Sequence, residues 1–493
     1  MTSLTTPALT DPVADIDRIF RAQKAACSPA HPPAYAERMD RLDRLEGMLR
    51  AHWTSMVDAL VEDFGHRSRD QILSADIVPP LLHLRHVKRH LKQWMKPRRR
   101  SSGVLGLTGV RSRLVYEPLG VIGVMSPFNA PVSLALDPAI EALAAGNSVM
   151  IKPSESTPRL TALLRRLTAE VFDERTLAVV EGDARVSAHF AALPWDTFVF
   201  TGGTEVGRRV LAAAAPHLTP VILELGGKCP AFVLPDADID AVGAKIAQGR
   251  LGNGGQVCLA VDYALVPRAA LEPFLDAVLR KNAADFPTLH GNPEVSAMID
   301  QRSYDRVTAL VDEARAKGFR VVRPDLYADE PPTSVTRQLP LTIVVDPDES
   351  LRLHRTEVFG PVLSVHTYDT LDEAIGIVNA KDKPLGLYVF GHDRRAIDTV
   401  VRRTSSGGVS VNDLALHALS DSMGFGGVGP SGMGRYKGGE VGFAAFSNPK
   451  SVVYQSRLMA RLSANAVPPW TGDRQRNAVL RLVGLKNPAR NGG

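Results

Sequence analysis

The chain has 493 residues, 44% of them hydrophobic and 23% charged, with a net charge of +5. That balance is expected of a soluble globular protein with two or three domains and a core that needs no staple. The three cysteines, Cys27, Cys229 and Cys258, have no paired spacing, which argues against a disulfide framework or a zinc site, and no run approaches the ~20 apolar residues that span a bilayer.

Residues 1–16 lack a basic start followed by an apolar run, so no secretory signal is expected, and sparse cysteines suit a reducing cytoplasm. Met39, Leu42, Leu45, Leu49, Trp53, Met56 and Leu60 recur at helical spacing and predict a helix over 36–64. A second helical stretch is expected over 70–95. Residues 85–100 concentrate positive charge. Contact with nucleic acid or an anionic membrane is one reading of that cluster. No aromatic ladder or base-reading motif accompanies it, so a solvated helix face ending at Pro97 is expected, with neither nucleic acid nor membrane as partner.

Short β-rich runs follow at 113–117, 120–125, 148–151, 177–180, 197–200 and 221–225. Helical stretches at 138–145, 159–171, 187–193 and 207–215 alternate with them. This predicts a parallel sheet covered by helices on both faces. The series restarts after Cys258, with strands at 263–266, 320–322, 341–345, 362–367 and 386–390. Helices are expected at 271–281, 303–317, 371–379 and 396–404, which makes a second α/β domain. Residues 424–442 are rich in glycine but also hold aromatics and charges, and read as an ordered loop. Beyond Ser456, prolines at 468 and 469 and an apolar piece at 478–485 read as a surface arm, a partner-contacting helix or a loosely ordered tail.

Cys258 sits among glycines in Gly255-Gln256-Val257-Cys258. A thiolate there is a candidate nucleophile toward a carbonyl, and Gly252, Gly254 and Gly255 permit close backbone approach. Cys229, which opens an apolar run, and Cys27, in an N-terminal helix, read as structural thiols. Glu224 closes a hydrophobic strand ahead of Gly226-Gly227-Lys228. Burial there raises a carboxyl pKa and suits a general base, whereas an ion pair with Lys228 is the structural alternative. Asn129, in Ser126-Pro127-Phe128-Asn129-Ala130-Pro131, is either a donor to an oxyanion or a turn former.

Phe200-Thr201-Gly202-Gly203-Thr204-Glu205-Val206-Gly207 links a strand to a helix read as opening at Gly207. Such a turn offers N–H groups to a pyrophosphate, although its Gly-x-x-x-x-Gly spacing is not Gly-x-Gly-x-x-Gly and most such turns bind nothing. Lys152-Pro153-Ser154-Glu155 follows another strand. It reads either as a ribose-binding carboxylate with its lysine or as a charged turn capping the helix from Pro158. Glu357, in Glu357-Val358-Phe359-Gly360-Pro361, is ambiguous taken alone.

Together these segments resemble the aldehyde dehydrogenase superfamily from about residue 15 to 455. Glu224-Leu225-Gly226-Gly227-Lys228, Gly255-Gln256-Val257-Cys258 and Glu357-Val358-Phe359-Gly360-Pro361 carry the likeness. Gly426-Gly427-Val428-Gly429-Pro430-Ser431-Gly432-Met433-Gly434 is similar to the short, fatty-aldehyde-like branch. Phe64-Gly65-His66-Arg67-Ser68-Arg69 and Trp94-Met95-Lys96-Pro97-Arg98-Arg99-Arg100 look like its coniferyl aldehyde dehydrogenases.

The resemblance implies an α/β fold with a Rossmann-type cofactor domain (1–106 and 120–224) and a second α/β catalytic domain (225–447). It adds a small oligomerisation hairpin (107–119 with 448–457), a tail (458–493) and a homodimer or homotetramer. It implies oxidation of an aldehyde, aromatic or enal in type like coniferaldehyde, to the acid through a thiohemiacetal and thioester on Cys258. Asn129 and the Cys258 N–H would hold the oxyanion, and Glu224 would activate water. The cofactor would be NAD, with NADP also accommodated. Lys152 and Glu155 would hold its adenosine ribose. Gly202, Gly203, Thr204, Glu205, Val206 and Gly207 would face the pyrophosphate. Glu357 would bind the nicotinamide ribose and Phe359 would place the ring, with Ser126, Phe128, Leu225 and Gly226 nearby. No metal is implied.

Several positions depart from the family pattern: Gly203 replaces a phosphate-contacting serine, Phe128 and Ala130 flank Asn129 in place of tryptophan and a bulky aromatic, and Val261, Gly424 and Lys437 replace two prolines and a histidine. Retention of Glu224 disfavours a CoA-acylating alternative, and retention of Cys258 disfavours a non-catalytic nucleotide-binding scaffold.

Overall fold

The computed structural model describes residues 11–463, 469 and 473–485. The expectations for residues 1–10, Pro468 and the last residues of the tail lie outside them. The chain separates into two units, Met1–Trp94 with Pro118–Ser447, and Met95–Glu117 with Asn448–Gly493.

In the first unit the expected helix spans Tyr35–Phe64 and buries Leu42, Leu45, Leu49, Met56 and Leu60. Trp53, expected on the same face, is exposed. The second helical stretch is broken into Arg69–Ile72, a wide turn at Leu73–Ile77 and Val78–Trp94. A wide turn inserts an extra residue and re-aims side chains. Here the carboxylate of Asp76 is turned inward, where it pairs with Arg67 at 2.8 Å. An additional helix, Pro12–Ala26, is capped by Cys27 rather than containing it.

One sheet has six strands in the order Gly432–Met433, Val221–Leu225, Thr197–Gly202, Val121–Met125, Ser148–Lys152, Leu177–Val179. All neighbours are parallel except Gly432–Met433, which runs antiparallel to Val221–Leu225. Strands buried on both faces need continuous apolar runs rather than alternation, and Val121–Met125 is buried throughout. Chain order reverses between Val121–Met125 and Thr197–Gly202, the switch point where open α/β sheets bind ligands at their strand C-termini.

The second sheet has seven strands in the order Val321–Val322, Thr342–Val345, Val362–Tyr368, Val261–Pro267, Cys229–Val233, Gly386–Phe390, Gly408–Val411. It is parallel apart from its Val321–Val322 edge. It therefore starts before Cys258, at Cys229, and the helix Ile239–Leu251 precedes the thiol. The helix expected from residue 138 begins at Pro131, with Pro131 in its first turn and Pro138 inside it. The helix expected from Gly207 begins at Thr204.

The second unit is built on a three-stranded sheet, Arg98–Arg100, Arg111–Pro118 and Ser447–Tyr454. The helix face expected to end at Pro97 stops at Trp94, and the arginine run after Pro97 is an edge strand. Helices Arg457–Ser463 and Asp473–Leu482 lie in the tail. No helix among the described residues is long and apolar enough to cross a membrane. No group of three metal-ligating side chains occurs among them.

Candidate active site

Strand ends and loops of the first unit converge on one cavity of about 250 Å³. Glu224 arrives at the end of Val221–Leu225 and Gly202 at the end of Thr197–Gly202, while Phe128 and Asn129 follow Val121–Met125. Cys258 and Glu357 enter from loops that precede strands of the second sheet.

Glu224 is buried, and neither carboxylate oxygen has a hydrogen-bond partner among the described residues. Burial pushes its carboxyl well above the usual range, against the pull of the Arg435 charge. The ion pair weighed for Glu224 does not form: Lys228 pairs instead with buried Asp262. Cys258 is a free, half-buried thiol pushed up to about 12, first by burial and then by the charges of Glu357 and Glu224. Burial thus favours the neutral thiol over the thiolate. Cys229 is fully buried, with its sulfur against the Cys258 carbonyl at 3.3 Å. Cys27 bonds to Gly120 O and Ser148 Oγ, both at 3.4 Å. Both fit structural roles.

The loop carrying Cys258 turns through a run of left-handed residues, Asn253, Gly254 and Gly255, with φ of 52°, 62° and 74°. A Cβ on Gly255 would collide with the Gly360 carbonyl. Buried Gln256 ties the loop down by donating to Asn253 O and Ala297 O and accepting from the Ile299 N–H, each at 3.0 Å.

The side-chain amide of Asn129 lines the cavity and makes no hydrogen bond among the described residues. The Asn129 backbone carbonyl accepts at 3.0 Å from both Arg67 and the Asn253 side-chain amide. Asp76 accepts the Val132 N–H at 3.0 Å, so the wide turn in the helical segment fixes the loop that presents Asn129. Arg67 and Asp76 were not identified from the sequence. Arg67 lies in a quoted motif, but a wide turn leaves no periodic signal.

Glu357 is raised to about 8 by burial and by the charge of Asp262, and the Gly227 N–H bonds to it. A Cβ on Gly226 would overlap its carboxylate. Asp262 accepts the Val358 N–H at 2.9 Å, Lys228 reaches Thr356 O at 3.2 Å, and Arg306 donates to Val358 O at 2.7 Å and Phe359 O at 3.3 Å. Phe359 sits at φ 44°, strained for a residue with a side chain, with its ring edge-on to Phe128 at 6.0 Å. Arg306 also borders the cavity. It is one arginine on a charged helix, so sequence spacing could not single it out.

Among the expected cofactor contacts, Phe128, Gly202, Gly203, Leu225, Gly226, Glu357 and Phe359 border this cavity. Ser126, Lys152, Glu155, Thr204, Glu205, Val206 and Gly207 do not. Ser126 Oγ is buried without a partner among the described residues. Lys152 is buried, donates to Pro153 O at 3.0 Å and lies 3.7 Å from exposed Glu155. Glu155 does not cap the helix Pro158–Val171. Asp63 does, by accepting the Arg159 and Leu160 N–H groups at 3.0 Å. Thr204 Oγ1 donates to Pro430 O at 3.2 Å, Glu205 pairs with Arg208, and Val206 is exposed. The helix Thr204–Ala214 has Gly203 as its N-cap with no side chain capping it. Thr201 also lines the cavity, and the rest of its wall is Pro127, Leu134, Leu385, Phe425 and Tyr436.

The sequence matches the aldehyde dehydrogenase family over residues 5–452. It is 42% identical over 425 residues to coniferyl aldehyde dehydrogenase of Pseudomonas sp., covering 86% of this chain and 88% of that protein. The fold is similar to the substrate-bound state of Staphylococcus aureus AldH, with TM-score 0.87 and 30% identity over 95% of this chain and 99% of that one. It is also similar to an indole-3-acetaldehyde dehydrogenase complexed with NAD+, with TM-score 0.81 and 26% identity over 90% and 89% of the two chains. On this evidence the chain belongs to the aldehyde dehydrogenase family and is an oxidoreductase acting on aldehydes.

Proposed function

We propose that this protein oxidises an aromatic or enal aldehyde, coniferaldehyde in type, to its carboxylic acid with NAD. The observation that carries this reading is a free thiol and an unpartnered buried carboxyl on one largely apolar cavity. The aromatic wall of Phe128, Phe425 and Tyr436 suits a planar conjugated substrate, and the similarity to coniferyl aldehyde dehydrogenase supports the same class.

The residues present fit a dinucleotide. The uncapped helix N-terminus at Gly203 has free N–H donors, and the buried Lys152 beside Glu155 offers a ribose contact. The close approach at Gly226 keeps the Glu357 carboxylate at the cavity. The exposed Glu155 would repel a 2′-phosphate, which favours NAD over NADP. Bound there, the cofactor supplies a hydride acceptor. Neighbours solved with NAD support the assignment.

In this reading the Cys258 thiol gives up its proton to solvent, and the thiolate attacks the aldehyde carbon. The resulting thiohemiacetal oxyanion is met by the Asn129 amide and the Cys258 N–H. Loss of hydride leaves a thioester on Cys258. Glu224 then takes a proton from water, which attacks the thioester and releases the acid and the thiol. Residues 1–106 and 120–224, which hold most of the first sheet, serve the cofactor, and residues 225–447, which add its Gly432–Met433 edge, carry the nucleophile. Residues 107–119 with 448–457 serve a homodimer or homotetramer. Exposed Val453 and Tyr454 on their last strand support that role, and residues 458–493 form a tail. Three free cysteines suit a reducing cytoplasm.

The test is NADH formation from a panel of aldehydes without CoA. Coniferaldehyde should be turned over, with Cys258→Ala inactive. Activity only with CoA, or undiminished activity in Cys258→Ala, would overturn the reading.

A further inference from the structure

The second unit concentrates positive charge. Residues 95–117 and 448–493 hold fourteen lysines and arginines against two carboxylates, Glu117 and Asp473. That surplus exceeds the +5 of the whole chain, so the rest of the molecule is acidic. Glu117 is already paired with Lys450.

Within this unit, Arg99 stands directly opposite Arg113 in the antiparallel register of Arg98–Arg100 and Arg111–Pro118. Like charges facing each other across a strand pair are destabilising. Arg99, Arg100, Arg111 and Arg113 have no carboxylate partner among the described residues, and Arg113 lies over the Tyr454 ring at 5.6 Å. These four arginines line a cavity of about 350 Å³ together with Ser102 and Ser112, whose hydroxyls are 2.9 Å apart. A fold that sets unneutralised guanidinium groups across one hollow is relieved by an anion. Planar five-donor forks favour phosphate oxygens, and four such charges call for more than one negative charge.

We infer that the hollow between Arg98–Arg100 and Arg111–Pro118 binds a multiply charged phosphate group, through Arg99, Arg100, Arg111 and Arg113. The source is either a free polyphosphate or the headgroups of an anionic lipid. The site is separate from the aldehyde cavity, whose lining residues all belong to the first unit.

The experiment is calorimetric titration of the full chain with sodium tripolyphosphate at low salt and saturating NAD, which keeps pyrophosphate-like binding at the cofactor site from contributing. The expected result is binding near one per chain, weakened at least tenfold in the double variant Arg99→Thr, Arg111→Thr, with aldehyde oxidation unchanged. Removing Arg99 relieves its opposition to Arg113, so the variant should melt no lower than the parent, which separates lost binding from lost folding. Vesicles distinguish the sources. Sedimentation with phosphatidylglycerol but not phosphatidylcholine, abolished in the variant and without tripolyphosphate binding, supports the site and assigns it to lipid headgroups. Equal tripolyphosphate affinity in parent and variant, or no binding to either probe, overturns the inference.

Discussion

At the scale of single residues, the site turns on groups denied their ordinary partners. A buried carboxyl without a hydrogen bond is costly, and Glu224 has neither oxygen satisfied among the described residues. That cost is reasonable where a group must hold and release a proton. Its nearest sequence candidate for an ion pair, Lys228, is committed to Asp262, so the sequence neighbourhood misleads and only the fold resolves it. Gly203 is the complementary case. It replaces a family serine, yet a Cβ there would meet nothing within 4 Å, and its φ of −74° suits any residue. Gly203→Ser should therefore add a hydroxyl at the helix N-cap without strain. We expect a several-fold lower KM for NAD with little change in kcat. An unchanged KM would show that the turn does not face the cofactor.

At the scale of elements, two short loops make the site, and each is tied to the body by buried polar groups. The 356–360 segment is held by Lys228, Asp262, Arg250 and Arg306. The 253–258 loop is held by Gln256 and by the close approach of Gly254 and Gly255 to the Ser296 and Gly360 carbonyls. Gly255→Ala should cost about 2 kcal/mol or more, because φ is 74° and the new Cβ meets the Gly360 carbonyl. A lowered denaturation midpoint is the expected reading, and an unchanged midpoint would contradict the loop geometry. Most strands and helices were legible because buried parallel strands such as Val221–Leu225 leave continuous apolar runs. Cys229–Val233 reads as an apolar run but not as a strand, because a short run holding a proline has no period to mark it, and the start of Pro131–Ala145 is hidden because prolines usually mark breaks. Motif residues were legible through the family likeness. Arg67, Asp76 and Arg306 were not, since their roles arise from a wide helical turn and from side chains reaching across about fifty or more positions.

At the scale of the whole molecule, the site leaves a signature in stability. Glu357 is raised from 4.5 to about 8, first by burial, and Glu224 shifts the same way. Between those values the folded chain binds more protons than the unfolded chain, so stability falls as pH rises. Glu357→Gln should flatten the decline of Tm between pH 5 and 8, and an unchanged slope would mean that this carboxyl is not buried as described. The central claim is that Cys258 carries the acyl group and Glu224 releases it. Mass spectrometry of Glu224→Gln after mixing with NAD and coniferaldehyde tests this most directly. The account predicts one NADH per chain, then a stall, with one acyl group on the peptide containing Cys258. Steady turnover at the parent rate, or an acyl group on Cys27 or Cys229 instead, would contradict it.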